Sequence, residues 1–170
     1  QKELNLKVKF RESFRPFAPS VLIEEASNWF QINTNSPYML LVADIKKELQ
    51  IPMSEENRKL FGIEKLNIKR SSIPAVTHID YSARIQTVHK ETNPRYYNLI
   101  SKFNEITNCP VLVNTSFNVR GEPIVCSIED AFNCFMGTNL DILICEDYFL
   151  YKSEQDKNLL KNYKNEFELD

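Results

Sequence analysis

Glycine is scarce in this chain, and that scarcity limits the binding loops that the sequence can form. Gly62, Gly121 and Gly137 are the only glycines among its 170 residues. Neither the G-x-x-x-x-G-K-[ST] phosphate loop nor the G-x-G-x-x-G dinucleotide fingerprint occurs. The P-loop and Rossmann classes of nucleotide-binding protein are therefore excluded. If the chain binds a nucleotide, its side chains must supply much of the phosphate recognition.

The composition is that of an ordinary globular domain. Hydrophobic residues make up 42% of the chain, and the formal net charge of −2 gives no overall attraction to nucleic acid or membranes. No apolar run is long enough to span a bilayer. We expect a cytoplasmic protein with reduced thiols, because its four cysteines form no C-x-x-C pair. With only two histidines, we expect no metal centre. Because the chain starts at Gln1 rather than Met, we also expect it to be a fragment.

Predicted strands and helices are mixed along the sequence, which indicates an α/β or α+β fold. The apolar segments predicted as extended are Val21–Ile23, Tyr38–Ile45, Pro74–Ile79, Ala83–His89, Pro110–Val113, Ile124–Cys126, Asp141–Cys145 and Tyr148–Tyr151, and we expect Tyr38–Ile45 to be a buried strand. Helices are predicted near Glu24–Phe30, after the cap Asn93-Pro94, and after the capping-box residues Ser127 and Asp130. Leu4–Phe10 fits either a strand or a helix.

The pattern also divides the chain into a domain and a tail. Residues 1–152 hold the predicted strands and helices, with a polar, basic surface excursion at 46–72. Residues 153–170 form a charged tail in which Leu159, Leu160, Tyr163 and Phe167 recur at helical spacing.

The segment Lys9–Pro19 concentrates cations among aromatic residues and prolines. Lys9, Arg11 and Arg15 lie on a backbone that the prolines stiffen, and guanidinium groups bind phosphate and carboxylate oxygens with paired donors. For so short a motif, a solvated basic face is the commoner outcome.

Two further segments carry more polar residues than a fold alone requires. In Thr77–Gln86, His78, Asp80, Ser82 and Arg84 alternate with apolar residues. These residue types could form a Ser-His-Asp hydrolase site, but no G-x-S-x-G nucleophile elbow accompanies them, and a turn capped by Asp80 with a structural Arg84 remains an open alternative. In Val111–Pro123, an apolar strand leads into the polar string Asn114–Asn118, where hydroxyls and amides could bind phosphate, ribose or a carbamoyl group. The alternative there is a side-chain-capped turn.

Four strings resemble the carbamoyltransferase family that includes nodulation protein U and the antibiotic-pathway O-carbamoyltransferases. They are Lys9–Pro19, Ile73–Val88, Asn93–Ile100 and Leu112–Val125, in the family's order. The resemblance implies the family's C-terminal domain, which has the YrdC-like fold, an open, twisted mixed sheet with flanking helices. Lys9-Phe10-Arg11 is similar to the K-x-R element of that fold, and Thr115–Asn118 to its T-S-x-N element.

The resemblance further implies that this domain converts carbamoyl phosphate and ATP, with Mg²⁺, to carbamoyl adenylate and pyrophosphate. A separate N-terminal, metal-binding domain of the same polypeptide would then pass the carbamoyl group to an acceptor hydroxyl. The residues expected to bind phosphate groups are Lys9, Arg11, Arg15 and Arg84. Those expected to hold the α-phosphate or carbamoyl end are Ser116 and Asn118, supported by Asn114 and Thr115. His78 and Asp80 are expected to orient the site or to belong to the domain interface.

Two alternatives are weighed against this hypothesis. A YrdC-like domain could bind nucleic acid without catalysis, but the negative net charge and the few aromatic residues among the cations argue against RNA. The chain could also be a structural domain that has lost catalysis and only docks its partner. The intact K-x-R and T-S-x-N strings count against that alternative.

Overall fold

A computed structural model describes residues 1–163 and residue 167 of this chain. The helices are α1 (Lys2–Leu4), α2 (Ile23–Trp29), α3 (Glu55–Lys59), α4 (Gly62–Leu66), α5 (Pro94–Thr107) and α6 (Ile128–Gly137). The strands are β1 (Ala18–Leu22), β2 (Leu41–Asp44), β3 (Ser82–Val88), β4 (Val111–Asn114), β5 (Ile142–Cys145) and β6 (Tyr148–Tyr151). A π-helical turn spans Asn5–Lys9, and 3₁₀ turns span Lys47–Leu49, Pro74–Val76, Lys152–Glu154 and Lys157–Leu159. The α+β class is therefore confirmed; the YrdC-like arrangement stays a prediction.

The chain forms two compact units. The first unit comprises Gln1–Arg15 and Ser116–Asp170, and the second unit comprises Pro16–Thr115. All four cysteines of the chain are free thiols. Among the residues described, no helix is both long and apolar enough to cross a lipid bilayer.

The second unit is built on a four-stranded mixed sheet in the order β2-β3-β1-β4. The central strands β1 and β3 are parallel to each other. The outer strand β4 pairs antiparallel with β1, and the other outer strand, β2, pairs antiparallel with β3. All five residues of β1 are buried, as expected for a central strand. The core cluster joins Leu22, Val88 and Ile100, so it is shared by β1, β3 and α5. The sheet thus fixes the positions at which β3 and β4 present polar side chains.

The first unit is built around α6 and the β5–β6 hairpin. Ser127 and Asp130 form the predicted capping box, in which each side chain accepts a hydrogen bond from the other residue's backbone N–H. The helix buries Cys134, which clusters with Val119 and with Tyr163 of the predicted tail. The N-terminal segment of this unit is helical from Lys2 to Lys9, which decides the strand-or-helix alternative in favour of a helix.

Three of the predicted extended segments differ from the structure. Tyr38–Ile45 does contain β2, but that strand is largely exposed, because it lies at the sheet edge. Pro74–Val76 is a 3₁₀ turn, which suits the fixed φ of proline. Ile124–Cys126 forms no strand, and its Val125 and Cys126 N–H groups bond to the Phe117 carbonyl and the Asp130 carboxylate instead. In all three cases an apolar run was a poor guide to pairing and burial.

The close contact between α6 and Tyr163 yields a stability prediction. A methyl group at Gly137 would lie 2.3 Å from ring carbon Cγ of Tyr163. In an ordinary helix, Gly→Ala adds up to about 1 kcal/mol of stability, whereas overpacking costs about 1–3 kcal/mol. We expect Gly137→Ala to lower the free energy of unfolding in urea by about 1–3 kcal/mol.

The matched control is the same substitution in a Tyr163→Ala background, where the ring is gone. There Gly137→Ala should be neutral or stabilising. An equal cost in both backgrounds would show that the ring contact is not the cause.

Candidate functional site

A cationic cavity in the first unit gathers five of the predicted site residues. Its volume is about 420 Å³, which falls within the range typical of small-molecule sites. Its charged and hydroxyl or amide side chains are Lys9, Arg11, Arg15, Ser116, Asn118, Arg120 and Glu122, with Val119, Gly121 and Pro123 completing the wall. The lining holds four cations and one carboxylate, and the nearby Glu12 carboxylate lies 2.8 Å from Arg15 and 3.9 Å from Arg120. The balance of charge is still positive, so the cavity is suited to an anion.

The arginines are positioned by a buried asparagine. Asn5 is fully buried, and its Oδ1 accepts a hydrogen bond of 2.7 Å from Nε of Arg11. Its Nδ2 donates to the carbonyl oxygens of Ser13 at 3.2 Å and Arg15 at 2.8 Å. Phe10, with φ of 48°, ends the π-helical turn in the left-handed region and reverses the chain at this point. One amide therefore folds the segment 10–15 into a fixed loop.

Lys9 joins the helical segment to the T-S-x-N string. Its side-chain Nζ donates to the Ser116 carbonyl at 2.6 Å and to the Asn118 carbonyl at 2.9 Å. It also contacts Oγ of Ser116 at 3.3 Å and Oδ1 of Asn118 at 2.9 Å. These four oxygens are uncharged, so they satisfy the ammonium donors without neutralising the charge. Lys9 therefore shapes the loop directly and adds its positive charge to the cavity.

The loop from Ser116 to Glu122 is closed by its own side chains. The Ser116 hydroxyl donates to Oδ1 of Asn118 at 2.6 Å, and Nδ2 of Asn118 donates to the Glu122 carbonyl at 2.8 Å. The Glu122 carboxylate accepts from the Val119 N–H at 2.7 Å. Gly121 has φ of 78°, a conformation that favours glycine and that the turn requires here. The loop is thus held in one conformation before any ligand arrives.

Burial and the neighbouring positive charges both lower the pKa values of cations in this cavity. Burial, followed by the charge of Arg11, lowers the pKa of Lys9 to about 8. Burial and then the charge of Arg15 lower the pKa of the Arg11 guanidinium. Arg15 is exposed and forms an ion pair of 2.8 Å with Glu12. An anion entering the cavity would offset this repulsion, which is the electrostatic reason to expect one there.

The remaining predicted residues lie in the second unit. His78 Nδ1 lies 3.0 Å from the Ser82 hydroxyl, which in turn donates to Oδ1 of Asp80 at 2.7 Å. The Asp80 carboxylate also accepts a hydrogen bond from the Ser82 N–H. The hydrogen bond from the Ser82 hydroxyl is the main cause that lowers the pKa of Asp80. Asp80 therefore contacts the serine and not the imidazole. This is the arrangement of a capped turn and not of a Ser-His-Asp relay.

Asn114, Thr115 and Arg84 also belong to the second unit. Asn114 ends β4, and its Nδ2 donates to Oε1 of Gln86 at 2.5 Å, which also accepts from the Ser20 hydroxyl at 2.7 Å. Thr115 follows the strand, and Arg84 is exposed on β3 opposite Val42 of the edge strand. The string 114–118 is thus divided between the units, with Ser116–Asn118 in the first.

Sequence reasoning missed three residues that build this cavity. Asn5 gave no signal, because an asparagine in an amphipathic segment is usually exposed. Glu122 and Arg120 stand just after the T-S-x-N string, and the glycine between them marks the turn that brings both to the cavity. Within the described residues, no group of three His, Cys, Asp or Glu side chains could hold a metal ion.

Comparison with known proteins assigns the family. The model named "Carbamoyltransferase C-terminus" matches residues 1–152. The chain belongs to the carbamoyltransferase C-terminal family. An uncharacterized protein of Synechocystis, sll1178, is 58% identical over the whole chain, and nodulation protein NolO of Bradyrhizobium diazoefficiens is 38% identical over 88% of it. A 3'-hydroxymethylcephem-O-carbamoyltransferase of Amycolatopsis lactamdurans is 32% identical over 86% of the chain.

These relatives are much longer than the chain. The matched region makes up 28% of the Synechocystis protein and 24% of each of the other two. The chain therefore spans about a quarter of the length of each of these relatives.

The bonds of Lys9 lead to a second stability prediction. Lys9→Met removes the donor shared by four oxygens, and hydrogen bonds to charged groups contribute about 1.5–3 kcal/mol each. Part of this loss is offset, because the buried ammonium no longer has to be desolvated. We expect the free energy of unfolding to fall by about 2 kcal/mol, measured by urea denaturation. The matched control is Lys7→Met, two residues earlier on an exposed position, which should change stability by less than about 0.5 kcal/mol. Equal effects of the two substitutions would contradict the role of Lys9 in holding the loop.

Proposed function

We propose that this domain binds ATP, entering as its Mg²⁺ complex, and transfers the adenylyl group to the carbamate oxygen derived from carbamoyl phosphate. Water would first cleave carbamoyl phosphate at its P–O bond, which gives carbamate and inorganic phosphate. Transfer of the adenylyl group from ATP to the carbamate would then give carbamoyl adenylate and pyrophosphate. The observation that carries the proposal is the preformed cationic cavity of Lys9, Arg11, Arg15 and Arg120, with Ser116 and Asn118 on its wall. The name of the cephem relative, an O-carbamoyltransferase, supports a carbamoyl group as the group that is handled, and the adenylyl step rests on the cavity.

The cavity is suited to the electrostatic demands of this step. A carbamate oxygen forms a bond to the α-phosphorus while the bond between that phosphorus and the bridging oxygen to the β-phosphate breaks, and pyrophosphate leaves with the bonding electrons. Charge accumulates on the departing oxygens, so fixed cations stabilise the transition state more than the ground state. Arg11 and Arg15 would contact the leaving phosphates. Lys9, which is bonded to the loop carbonyls of Ser116 and Asn118, would add positive charge to the cavity.

The amide and hydroxyl groups of the loop have a different role in the proposal. Ser116 is exposed, and its hydroxyl and the Asn118 amide lie within hydrogen-bonding distance of each other. A polar pair held in this way can bind the α-phosphate or the carbamoyl end with little loss of side-chain entropy. The fixed loop therefore supplies orientation, and the arginines supply charge.

The aromatic residues near the cations argue against the RNA alternative. Phe10 packs against the Val119 cluster of the first unit, and Phe17 is buried in the second unit. Stacking of bases on aromatic side chains needs exposed ring faces. Phe17 offers no exposed ring face, and the half-buried rings of Phe10 and Phe14 offer only part of theirs.

The first functional prediction concerns Arg11. Arg11→Ala should weaken binding of MgATP to the 170-residue chain by about tenfold or more, because a charge-assisted contact is lost. It should reduce carbamoyl-phosphate-dependent pyrophosphate release at least as strongly. The measurements are isothermal calorimetry and a pyrophosphate assay, with the exposed Arg58→Ala of α3 as the matched control. Wild-type affinity in Arg11→Ala, or equal losses in both variants, would refute the site.

The second functional prediction is a pH dependence. Lys9 is mostly charged at pH 7 and mostly neutral at pH 9, because its pKa is lowered to about 8. Bound phosphate would favour the charged form, so MgATP affinity should fall as the pH rises from 7 to 9. In Lys9→Arg, whose guanidinium stays charged, the fall should be smaller. Calorimetry at both pH values measures the difference between the two proteins, and parallel pH profiles would exclude Lys9 as the titrating group.

A further inference from the structure

One side of the β5–β6 hairpin is entirely apolar and exposed. Ile142 pairs with Tyr151, and Ile144 pairs with Phe149. Directly opposed residues of an antiparallel pair project to the same side of the sheet, so these four side chains form one surface, which we call the hairpin face. Their exposed fractions are 44% for Ile142, 59% for Ile144, 62% for Phe149 and 45% for Tyr151.

The other side of the hairpin accounts for its attachment to the first unit. Leu143 and Leu150 oppose each other there and are both half-buried, whereas Tyr148, which opposes Cys145 next to the turn, is 74% exposed. The helix α6 contacts β5 within the same unit. At Leu143 and Leu150 the hairpin is therefore partly covered by its own unit, whereas all four residues of the hairpin face are exposed.

An uncovered face of this composition is unusual in a solvated antiparallel sheet. Such sheets normally alternate apolar residues on the covered side with polar residues on the other. Here β5 and β6 read Ile-Leu-Ile-Cys and Tyr-Phe-Leu-Tyr, without one charged residue. In the part of the chain that the structure describes, no third strand pairs with this hairpin. Adjacent exposed apolar side chains beside unpaired strand edges are the mark of an interaction surface.

We propose that the hairpin face is the docking surface for the N-terminal part of a longer carbamoyltransferase polypeptide. This inference rests on the proposed function, in which a separate domain receives the carbamoyl group. The occupant follows from the comparisons, because the matched family model is the carbamoyltransferase C-terminus and most of each relative's length lies outside the matched region. A C-terminal domain in such a chain has a covalently attached neighbour at high effective concentration.

The chemistry of the face fits that occupant. It carries two aliphatic side chains, one phenyl ring and one phenol, and no charge that would steer a soluble, transient partner. Permanent interfaces are more apolar than transient ones and resemble a divided hydrophobic core. The complementary surface is therefore expected to be apolar, with a hydrogen-bond acceptor for the Tyr151 hydroxyl.

Hydroxyl-radical footprinting tests this proposal, because it reports the exposure of individual aromatic side chains. The 170-residue chain is compared with the polypeptide encoded by its complete gene. We expect Phe149 and Tyr151 to be modified at least fivefold more slowly in the complete polypeptide. Phe61, which is 92% exposed in the second unit, is the internal control and should be modified equally in both. Equal modification of Phe149 in both proteins would overturn the proposal.

A pair of double variants tests what the docking does. Ile144→Ser with Phe149→Ser should lower carbamoyl transfer by the complete polypeptide at least fivefold while its MgATP affinity and pyrophosphate release stay unchanged. The matched pair Ile63→Ser with Phe61→Ser replaces the same residue types at positions that are at least as exposed, and it should leave transfer unchanged. Equal losses in both pairs, or no loss in either, would overturn the proposal.

Two further outcomes distinguish a failure of the proposed function from a failure of the docking surface. If the wild-type polypeptide binds no MgATP but still protects Phe149, the proposed function fails and the docking surface stands. If light scattering shows that the 170-residue chain dimerises and that Phe149 is protected only in the dimer, a second copy is the occupant and the proposal is overturned.

Discussion

The candidate site depends on one buried cation that is solvated by the protein itself. The ammonium group of Lys9 sits among carbonyl, hydroxyl and amide oxygens of Ser116 and Asn118, none of which is charged. An ion pair would fix the loop equally well but would cancel the charge. Hydrogen bonds to neutral oxygens fix the loop and keep the charge, at a desolvation cost that lowers the pKa of the lysine. A chain with three glycines can in this way build a phosphate-binding surface from side chains.

The asparagine at the other end of the same helical segment is the counterpart of Lys9. Asn5 organises the arginine loop as Lys9 organises the Ser116 loop, and each does so through bonds to backbone carbonyls. A cavity with two loops held in this way loses little entropy on binding, so most of the interaction energy is available for the ligand. The exposed guanidinium of Arg15 and the Ser116 hydroxyl are the groups that remain most accessible to that ligand.

Much of the fold could be predicted, because its signals are local. The caps at Asn93 and Ser127 rest on contacts within four residues, and both helices begin as expected. The pairing of β2 at a sheet edge depends on distant residues, and so its exposure could not be inferred from an apolar run. In the site, the K-x-R and T-S-x-N strings identified Lys9, Arg11, Ser116 and Asn118, which the structure brings to one cavity. The roles of Asn5 and Glu122 arise from tertiary hydrogen bonds that no spacing in the sequence encodes.

The most direct test of this account is nuclear magnetic resonance of the Lys9 ammonium and the Arg11 Nε–H in the 170-residue chain during titration with MgATP. The account predicts that both ¹⁵N resonances shift saturably with the same dissociation constant, and that the Lys9 ammonium protons stay protected from exchange with water. MgATP binding that leaves both resonances unchanged would show that the nucleotide binds elsewhere. The absence of any saturable binding would contradict the nucleotide site altogether.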